Sequence, residues 1–252
     1  MNQVLLNQVI QTQPYSLLFT TISGAHLYGF PSVDSDYDLR GVHILPLEEV
    51  LGLYPIRDTI ELSEIREGVE IDLVTHDLKK FCSLLLKRNG YVLEQLYSPL
   101  ILQTTPEHQE LKAIATNCLT RFHSYHYVGF AKNQWQLLTK SNVLKVKPLL
   151  YLYRVLLTGI YLMKTGKIEA NLVNLNHEFK LDYITDLIAQ KIQGTEQSNL
   201  KQLNLEFHFQ EYQRLQNELA LASQNSHLPD KPSAKEDLNE FLVRLRRSPS
   251  NN

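Results

Sequence analysis

The sequence predicts an α+β protein, with a small mixed β-sheet in its first half and an α-helical second half. Two observations support this prediction. The first half changes its hydrophobic period often and contains many turn residues, as expected for short strands mixed with helices. After about residue 107, the apolar residues follow helical spacing almost to the end of the chain. We therefore expect two domains, residues 1–105 with the sheet and residues 106–252 with the helices.

Four segments of the first half have the character of strands. Residues 15–23 form a β-rich apolar run, and residues 37–45 alternate in polarity and end before a proline. Residues 59–65 and 69–74 flank the dipeptide Glu67-Gly68, which predicts a hairpin turn.

The helices are predicted from capping residues and from apolar periodicity. Asp77 is the preferred N-cap for a helix through LKKFCSLLLKR, with Thr75 as the less favoured alternative. Gly166 is a suitable stop for a helix over residues 147–163. Further helical spacing covers residues 107–140, 177–193 and 205–224, and a short helix ends in RLRR.

The composition is that of an ordinary soluble protein. Hydrophobic residues make up 43% and charged residues 21%, and the formal net charge is −2. Such a charge gives no global attraction to nucleic acid or to an anionic membrane, so a polyanion would need a local basic patch. Lys79, Lys80, Lys87 and Arg88 form such a cluster, which would either guide a nucleic-acid backbone or be a solvated surface.

The sequence gives no sign of export, of a membrane span or of a disulfide framework. The N-terminus lacks the charged and apolar regions of a signal peptide, and the longest apolar segment, residues 149–163, is interrupted by Arg154. Cys82 and Cys118 are not arranged as a metal-binding pair, so we expect buried free thiols. We expect a cytoplasmic protein without a membrane partner.

The most informative segment is SGAHLYGFPSVDSDYDLRG, residues 23–41. An apolar strand ends there in a glycine-bearing turn, an arrangement that brings backbone N–H groups close to phosphate oxygens. Gly24 and Ala25 would line that approach. Asp36 and Asp38 are two residues apart on a predicted strand, so both carboxylates should point to one face.

A pair of carboxylates on one face favours a bound cation. Two carboxylates about 4 Å apart repel each other by roughly 1 kcal/mol in water and roughly 4 kcal/mol at an effective dielectric of 20. Hard oxygen ligands favour Mg²⁺ or Mn²⁺, and Mg²⁺ usually takes one or two carboxylates plus substrate phosphates. A third carboxylate on a neighbouring strand would complete a two-ion site for phosphoryl transfer. Asp72 in GVEIDLV is the best candidate, and Glu70 on the same face is the alternative.

Each of these features has an ordinary structural interpretation when it is taken alone. A single Asp-x-Asp is more often a solvated strand face or a turn, and a single Ser-Gly is usually a turn. The order of the features is more informative, because a strand, a glycine turn, an Asp-x-Asp strand and a later acidic strand rarely follow one another by accident. That order favours the metal site.

Two segments, SGAHLYGF and DSDYDLRGV, resemble the signature of the DNA polymerase β nucleotidyltransferases, in which Gly-Gly or Gly-Ser precedes an Asp-x-Asp. The resemblance is to the branch of RNA ligase-associated polymerases, or RNA-repair nucleotidyltransferases. It continues through EIDLVTHDLKKF, RNGYVLEQLYSPL and YRVLLTGIYLMKTGKIEANL, and thus covers about residues 16–176. A resemblance of this length is specific to the branch.

The resemblance implies roles for particular residues. Gly24 and Ala25 match the pair that grips phosphate. Asp36 and Asp38 match the metal-binding pair, and Asp72 matches the third carboxylate, which assists the attacking hydroxyl.

One position departs from the family pattern. Ala25 stands where the superfamily commonly has serine, so the usual hydroxyl contact to the β- or γ-phosphate is missing. Backbone N–H groups, Ser23 or His26 would have to replace it.

Three basic residues are further candidates for binding the nucleotide. Arg40 continues the strand face of Asp38 and would either neutralise phosphate or pair with a carboxylate. Lys147 and Arg154 are seven residues apart, so they project from a common helix face two turns apart. They would either reach the triphosphate or belong to a solvated surface.

The implied reaction is the attack of a hydroxyl on the α-phosphorus of a nucleoside triphosphate, with two Mg²⁺ or Mn²⁺ ions and release of pyrophosphate. The resemblance implies an RNA or DNA 3′ end as the acceptor. The setting would be template-independent or weakly templated RNA repair beside an RNA ligase and an end-healing enzyme. Two alternatives stay open: nucleotidyl transfer to a protein or small molecule, and a catalytically silent binding module.

Overall fold

The computed structural model describes residues 3–140, 145–193 and 204–247. Its contacts divide the chain into two compact units. The first comprises Met1–Gly24, Asp36–Cys118 and Lys231–Asn252, and the second comprises Ala25–Ser35 and Leu119–Asp230. The division at residue 105 expected from the sequence stays a prediction.

The strands of the described residues form one mixed sheet, which lies in the first unit. They are β1 (Leu17–Ile22), β2 (Tyr37–His43), β3 (Thr59–Arg66), β4 (Val69–Asp77) and β5 (Ile101–Thr104). Their order across the sheet is β3-β4-β2-β1-β5. β2 and β4 pair in parallel, whereas the other neighbours pair antiparallel.

Twelve α-helices occur in the described residues. They are α1 (Gln3–Gln11), α2 (Gly24–Tyr28), α3 (Leu47–Leu51), α4 (Leu78–Leu86), α5 (Gly90–Tyr97), α6 (Pro106–Ala115), α7 (Ser124–Lys140), α8 (Val146–Thr165), α9 (Leu172–Phe179), α10 (Asp182–Gln193), α11 (Leu205–Gln224) and α12 (Lys235–Arg247). The mixed sheet, with helices filling the second half of the chain, confirms the predicted α+β class.

The hairpin and the helix after it form as their local sequence predicts. Glu67 and Gly68 have φ angles of 49° and 78°, the left-handed values that a tight turn between β3 and β4 requires. Asp77 caps α4, because its carboxylate accepts a hydrogen bond of 3.0 Å from the N–H of Lys79.

Both faces of the sheet are covered by helices. On one face, Leu5 and Leu6 of α1 pack in a buried cluster with Leu39 and Leu73 of the central strands. On the other face, the ring of Phe19 stacks on that of His108 in α6, with 4.2 Å between the ring centroids. Burying each leucine stabilises the fold by about 1.5–3 kcal/mol, so this packing fixes which way each strand faces.

The second unit is built around α8. Fourteen of its residues are buried, and it ends at Gly166, whose φ of 70° and N–H bond to the Leu162 carbonyl form the predicted stop. This helix is long and apolar enough to cross a membrane, but 78% of its apolar window is buried inside the protein. Such burial is typical of the core helix of a soluble protein.

The helical spacing over residues 107–140 does not produce one continuous helix. α6 ends at Ala115, and α7 begins at Ser124. Between them, the N–H of Thr120 donates to the side chain of His123 in a capping box. Local side-chain to backbone bonds of this kind compete with the helix and interrupt it.

Candidate active site

Asp38 and Asp72 lie side by side on the two parallel strands. Asp38 of β2 is the direct partner of Asp72 of β4 in the strand register. The next residues, Leu39 and Leu73, are fully buried in the cluster under α1. Because side chains alternate along a strand, both carboxylates project from the opposite face. A slip of one residue would bury them, so hydrophobic packing holds the two acids in place.

Asp36 and Glu70 occupy less defined positions. Asp36 immediately precedes β2, which starts at Tyr37, so strand alternation does not fix its direction as the sequence predicted. Glu70 is on the same face of β4 as Asp72, but it is exposed and pairs with Ile65 of β3. The parallel pairing with β2 begins only at Ile71. Asp72 is therefore the acid that lies opposite Asp38.

The glycine turn lies directly against Asp38. Gly24 has a φ of +59°, and a Cβ atom at this position would overlap the carboxylate of Asp38. The preceding N–H, that of Ser23, donates a hydrogen bond of 2.8 Å to the Asp38 carbonyl. Only glycine permits both this backbone conformation and this approach. The sequence shows the turn and the Asp38 strand as separate features, but in the structure they are in direct contact.

Ser23 places a buried hydroxyl group directly before Gly24. The residue is fully buried, and its hydroxyl makes no hydrogen bond to any residue that the structure describes. Buried polar groups nearly always have partners, so an unsatisfied one needs an explanation. A polar ligand held by the Gly24 turn would supply an acceptor for this hydroxyl.

Arg40 binds the carboxylate of Asp38. Its Nη2 atom lies 2.5 Å from Asp38 Oδ1, and its Nη1 atom donates to the carbonyl of Asp72 at 2.7 Å. Its Nε atom donates to the Tyr91 hydroxyl at 3.0 Å. Burial opposes the charge of Arg40, but Tyr91 and Asp38 outweigh it and raise the pKa of the guanidinium. Of the two roles open from the sequence, the structure shows pairing with a carboxylate.

Tyr91 is a site residue that sequence reasoning missed. It sits in the first turn of α5, where the side chain of Asn89 caps the helix by accepting from the Tyr91 N–H at 3.0 Å. The segment Asn89-Gly90 is a recognisable helix start, but nothing local shows that this helix lies beside Arg40.

The acidic residues fit a hard divalent cation only in part. Within residues 3–140, 145–193 and 204–247, no group of three or more His, Cys, Asp or Glu side chains is arranged to hold a metal ion. The charge of Asp38 is instead balanced by Arg40. Two carboxylates in register beside a glycine cradle nevertheless match the donors of Mg²⁺, which completes its shell with water and substrate phosphates.

The remaining predicted ligands belong to the second unit. Ala25 is buried, with 4% of its surface exposed. Lys147 and Arg154 share a helix face as predicted, because their side chains lie 5.8 and 5.9 Å from the ring centroid of Tyr151. The guanidinium of Arg154 is buried 3.8 Å from the ring centroid of Tyr28. Nucleotide binding by these three residues stays a prediction.

Sequence comparison decides the family. The model of the RNA repair pathway DNA polymerase beta family matches residues 2–244, nearly the whole chain. The chain belongs to this family. Membership in the RNA repair pathway DNA polymerase beta family confirms the resemblance seen in the sequence and supports a nucleotidyltransferase-like function in RNA repair.

The chain is also similar to individual proteins. It is 30% identical over 220 residues to the protein named Uncharacterized protein MJ0002 of Methanocaldococcus jannaschii, covering 86% of this chain and 88% of that one. It is 28% identical over 169 residues to Uncharacterized protein YcgL of Bacillus subtilis, covering 65% of this chain and 62% of YcgL. A solved nucleotidyltransferase-like protein from Exiguobacterium sibiricum aligns over 96% of this chain and 78% of its own, with 12% identity and a TM-score of 0.34. At that score the structural likeness adds nothing to the assignment.

Proposed function

We propose that this protein is a metal-dependent nucleotidyltransferase that transfers a nucleoside monophosphate from a nucleoside triphosphate to a hydroxyl, with release of pyrophosphate. The acceptor is an RNA or DNA 3′ end. One observation carries the proposal: in a member of this family, Asp38 and Asp72 are register partners, and the Gly24 turn lies against Asp38.

Asp36, Asp38 and Asp72 are the residues that would hold two Mg²⁺ or Mn²⁺ ions. Ions bound there supply charge neutralisation for the triphosphate and activation of the attacking hydroxyl. The protein contributes a fixed position for two of the three acids, because β2 and β4 pair in register at Asp38 and Asp72. Asp36, which immediately precedes β2, would complete the set.

Arg40 positions Asp38 and compensates its charge. Its guanidinium contacts the Asp38 carboxylate and is itself fixed by the Asp72 carbonyl and the Tyr91 hydroxyl. A carboxylate held in this way keeps one orientation even before a metal ion binds. We assign Arg40 to positioning Asp38, with contact to the nucleotide as a secondary role.

The Gly24 turn seats the outer phosphates. Its backbone approaches the face of Asp38 closely enough to exclude a side chain. Backbone N–H groups in a glycine turn form a natural anion site. Ser23, whose hydroxyl has no partner among the described residues, would replace the hydroxyl missing at Ala25.

The biological setting follows from the family. A member of an RNA repair family would act in the cytoplasm on broken RNA, beside an RNA ligase and an end-healing enzyme. We propose template-independent or weakly templated addition as the mode of transfer.

A transfer assay with α-labelled nucleoside triphosphates tests the acceptor. Each triphosphate is offered in turn with single-stranded RNA, nicked DNA and a protein acceptor, in the presence of Mg²⁺ or Mn²⁺. Label on a nucleic-acid 3′ end supports the proposal. Label found only on protein or on a small molecule would contradict a nucleic-acid acceptor and would support nucleotidyl transfer to a protein or small molecule.

Calorimetry separates an enzyme from a silent binding module. We expect ATP to bind in a Mg²⁺-dependent manner and Asp36→Ala to abolish that binding. Asp34→Ala is the matched control, because Asp34 is an exposed aspartate two residues earlier. Equal ATP binding with and without Mg²⁺, unaffected by Asp36→Ala, would contradict the proposed metal site.

A further inference from the structure

A pocket with a basic lining lies beside α4 in the first unit. Its volume is about 380 Å³, and its lining includes Lys79, Lys80, Lys87 and Arg246. We call this feature the basic pocket. It is separate from the acidic site, because Asp77 at its edge is five residues beyond Asp72 on β4, about 16 Å along the strand.

The two acidic residues that line the basic pocket are already neutralised. Asp77 forms a buried ion pair with Arg246 at 2.5 Å, and the two side chains are 4% and 7% exposed. Asp58 pairs with Lys80 at 2.9 Å. The charges of these four residues therefore cancel within the pocket.

Lys79 and Lys87 supply the remaining positive charge. Both side chains are exposed, and neither forms a hydrogen bond or an ion pair within the described part of the chain. They are eight residues apart along α4 and its C-cap, with Ser83 between them, so all three lie near one face over about 12 Å. Two ammonium groups over two helical turns suit successive phosphates of a strand better than one small anion.

The loop between α3 and β3, which supplies Ile56 to the lining, also carries an exposed aromatic residue. Ile56 lines the pocket, and Leu53 and Tyr54 just before it are 102% and 88% exposed. Aromatic rings next to a basic groove are typical of proteins that bind single strands, since a base can stack on the ring whatever its identity.

We infer that the basic pocket binds the phosphate backbone of single-stranded nucleic acid and that Tyr54 stacks on one of its bases. The inference rests on the proposed function and deepens it. The pocket would hold the acceptor strand at a distance from the reacting end, and it would supply the local attraction that a chain of net charge −2 lacks.

Fluorescence anisotropy with a labelled single-stranded RNA oligonucleotide tests the inference. The double variant Lys79→Glu/Lys87→Glu should bind about tenfold more weakly or worse. Its affinity should fall less steeply with salt, with a logarithmic slope shallower by about 1.4 for two lost phosphate contacts. The matched control is Lys231→Glu/Lys235→Glu, which makes the same change of charge at exposed lysines near the opposite end of α12 from Arg246. The control should keep the original affinity.

Tyr54 tests the assignment to a single strand. Tyr54→Ala should weaken binding by about 5- to 100-fold, and Tyr54→Phe should preserve it. Unchanged affinity in Tyr54→Ala would overturn the assignment to a single strand. Equal loss of RNA affinity in the two double lysine variants would overturn the assignment of the basic pocket. The assignment would also fail if Lys79→Glu/Lys87→Glu lost binding to phosphatidylserine vesicles while its RNA binding stayed unchanged.

Nucleotidyl transfer by the unsubstituted chain is measured in parallel. If the unsubstituted chain shows no nucleotidyl transfer, the result counts against the proposed function and leaves the inference on the basic pocket untouched. A loss of RNA binding confined to Lys79→Glu/Lys87→Glu still supports the basic pocket, so the two failures can be told apart.

Discussion

The carboxylate of Asp38 occupies the space that a side chain on Gly24 would need. This contact joins the turn after β1 to the acidic strand β2, and the Ser23 N–H bond to the Asp38 carbonyl reinforces it. A phosphate held by the turn would therefore lie beside the acid that we propose as a metal ligand. The contact also makes Gly24 the most sensitive glycine of the site.

Gly24→Ala should reduce nucleotidyl transfer by about 10²-fold or more. The alanine would strain the backbone by about 1–2 kcal/mol and displace Asp38. Gly68→Ala is the matched control, because Gly68 also has a positive φ of 78° but has open space around its Cβ position. We expect the control to lose only the stability that the backbone strain costs, measured in thermal melts, and to keep its activity. Full activity in Gly24→Ala would contradict the contact.

Asp38→Asn and Asp72→Asn should each reduce transfer by at least about 10²-fold, because removing even the outer partners of metal ligands costs 10- to 100-fold. Glu70→Gln should retain activity, since Glu70 is exposed and pairs with β3. Steady-state transfer rates at saturating Mg²⁺ measure the effect. Inactivation by Glu70→Gln but not by Asp72→Asn would assign the third carboxylate to Glu70.

Arg40→Ala should make the stability of the protein depend more strongly on Mg²⁺. Without the guanidinium, the half-buried Asp38 loses its counter-charge, which should cost about 1–3 kcal/mol in the absence of metal. Thermal melts should then show a larger rise of Tm on adding Mg²⁺ than in the unsubstituted protein. Tyr91→Phe removes only one partner of Arg40, so it should change little the stability without metal and the rise of Tm on adding Mg²⁺. The same response to Mg²⁺ in all three proteins would count against a cation at Asp38.

Two buried histidines should make the protein less stable in mild acid. Burial lowers the pKa of His43 and that of His108 to about 4, from an ordinary value of 6.5. As the pH falls, the unfolded chain binds protons first, so stability is complete above about pH 6.5 and is lost toward pH 4. Urea unfolding at about pH 7.5 and about pH 5 should differ by on the order of 1–2 kcal/mol per histidine. The difference should shrink in His43→Phe, and a pH-independent unfolding midpoint would contradict the burial.

Arg244 and Arg246, in the last turn of α12, should contribute very unequally to stability. Arg246→Ala leaves the buried carboxylate of Asp77 without its cation, at a cost of about 3 kcal/mol. Arg244→Ala removes an ion pair with Glu110 whose side chains are 50% and 45% exposed, and it should cost less than about 1 kcal/mol. Chemical denaturation measures both, and equal effects would show that the Asp77 pair is not buried in solution.

Local signals in the sequence predicted local structure well. The turn at Glu67-Gly68 and the stop at Gly166 form as expected because their chemistry acts over a few residues. Cys82 and Cys118 are buried free thiols as expected. The elements that were not predicted include β5, α2 and α3, which have only four or five residues each and are too short to show a clear period. The helix α1, with nine residues, was also missed.

Long-range relationships were less accessible from the sequence. The Asp-x-Asp pattern identified Asp38, but only the parallel pairing of β2 with β4 shows that Asp72 is its neighbour. The contact of Tyr91 with Arg40 joins residues 51 positions apart, and Arg246 reaches Asp77 from 169 positions away. Sequence periodicity carries no information about such pairs.

Primer extension with α-labelled nucleoside triphosphate tests the central claim most directly. RNA ending in a free 3′ hydroxyl is compared with the same RNA ending in a 3′ deoxy terminus, for the unsubstituted protein and for Asp38→Asn. We predict label on the free 3′ hydroxyl only, with Mg²⁺ or Mn²⁺ present and Asp38 intact. Label that is independent of the 3′ hydroxyl, or equal labelling by Asp38→Asn, would contradict the account.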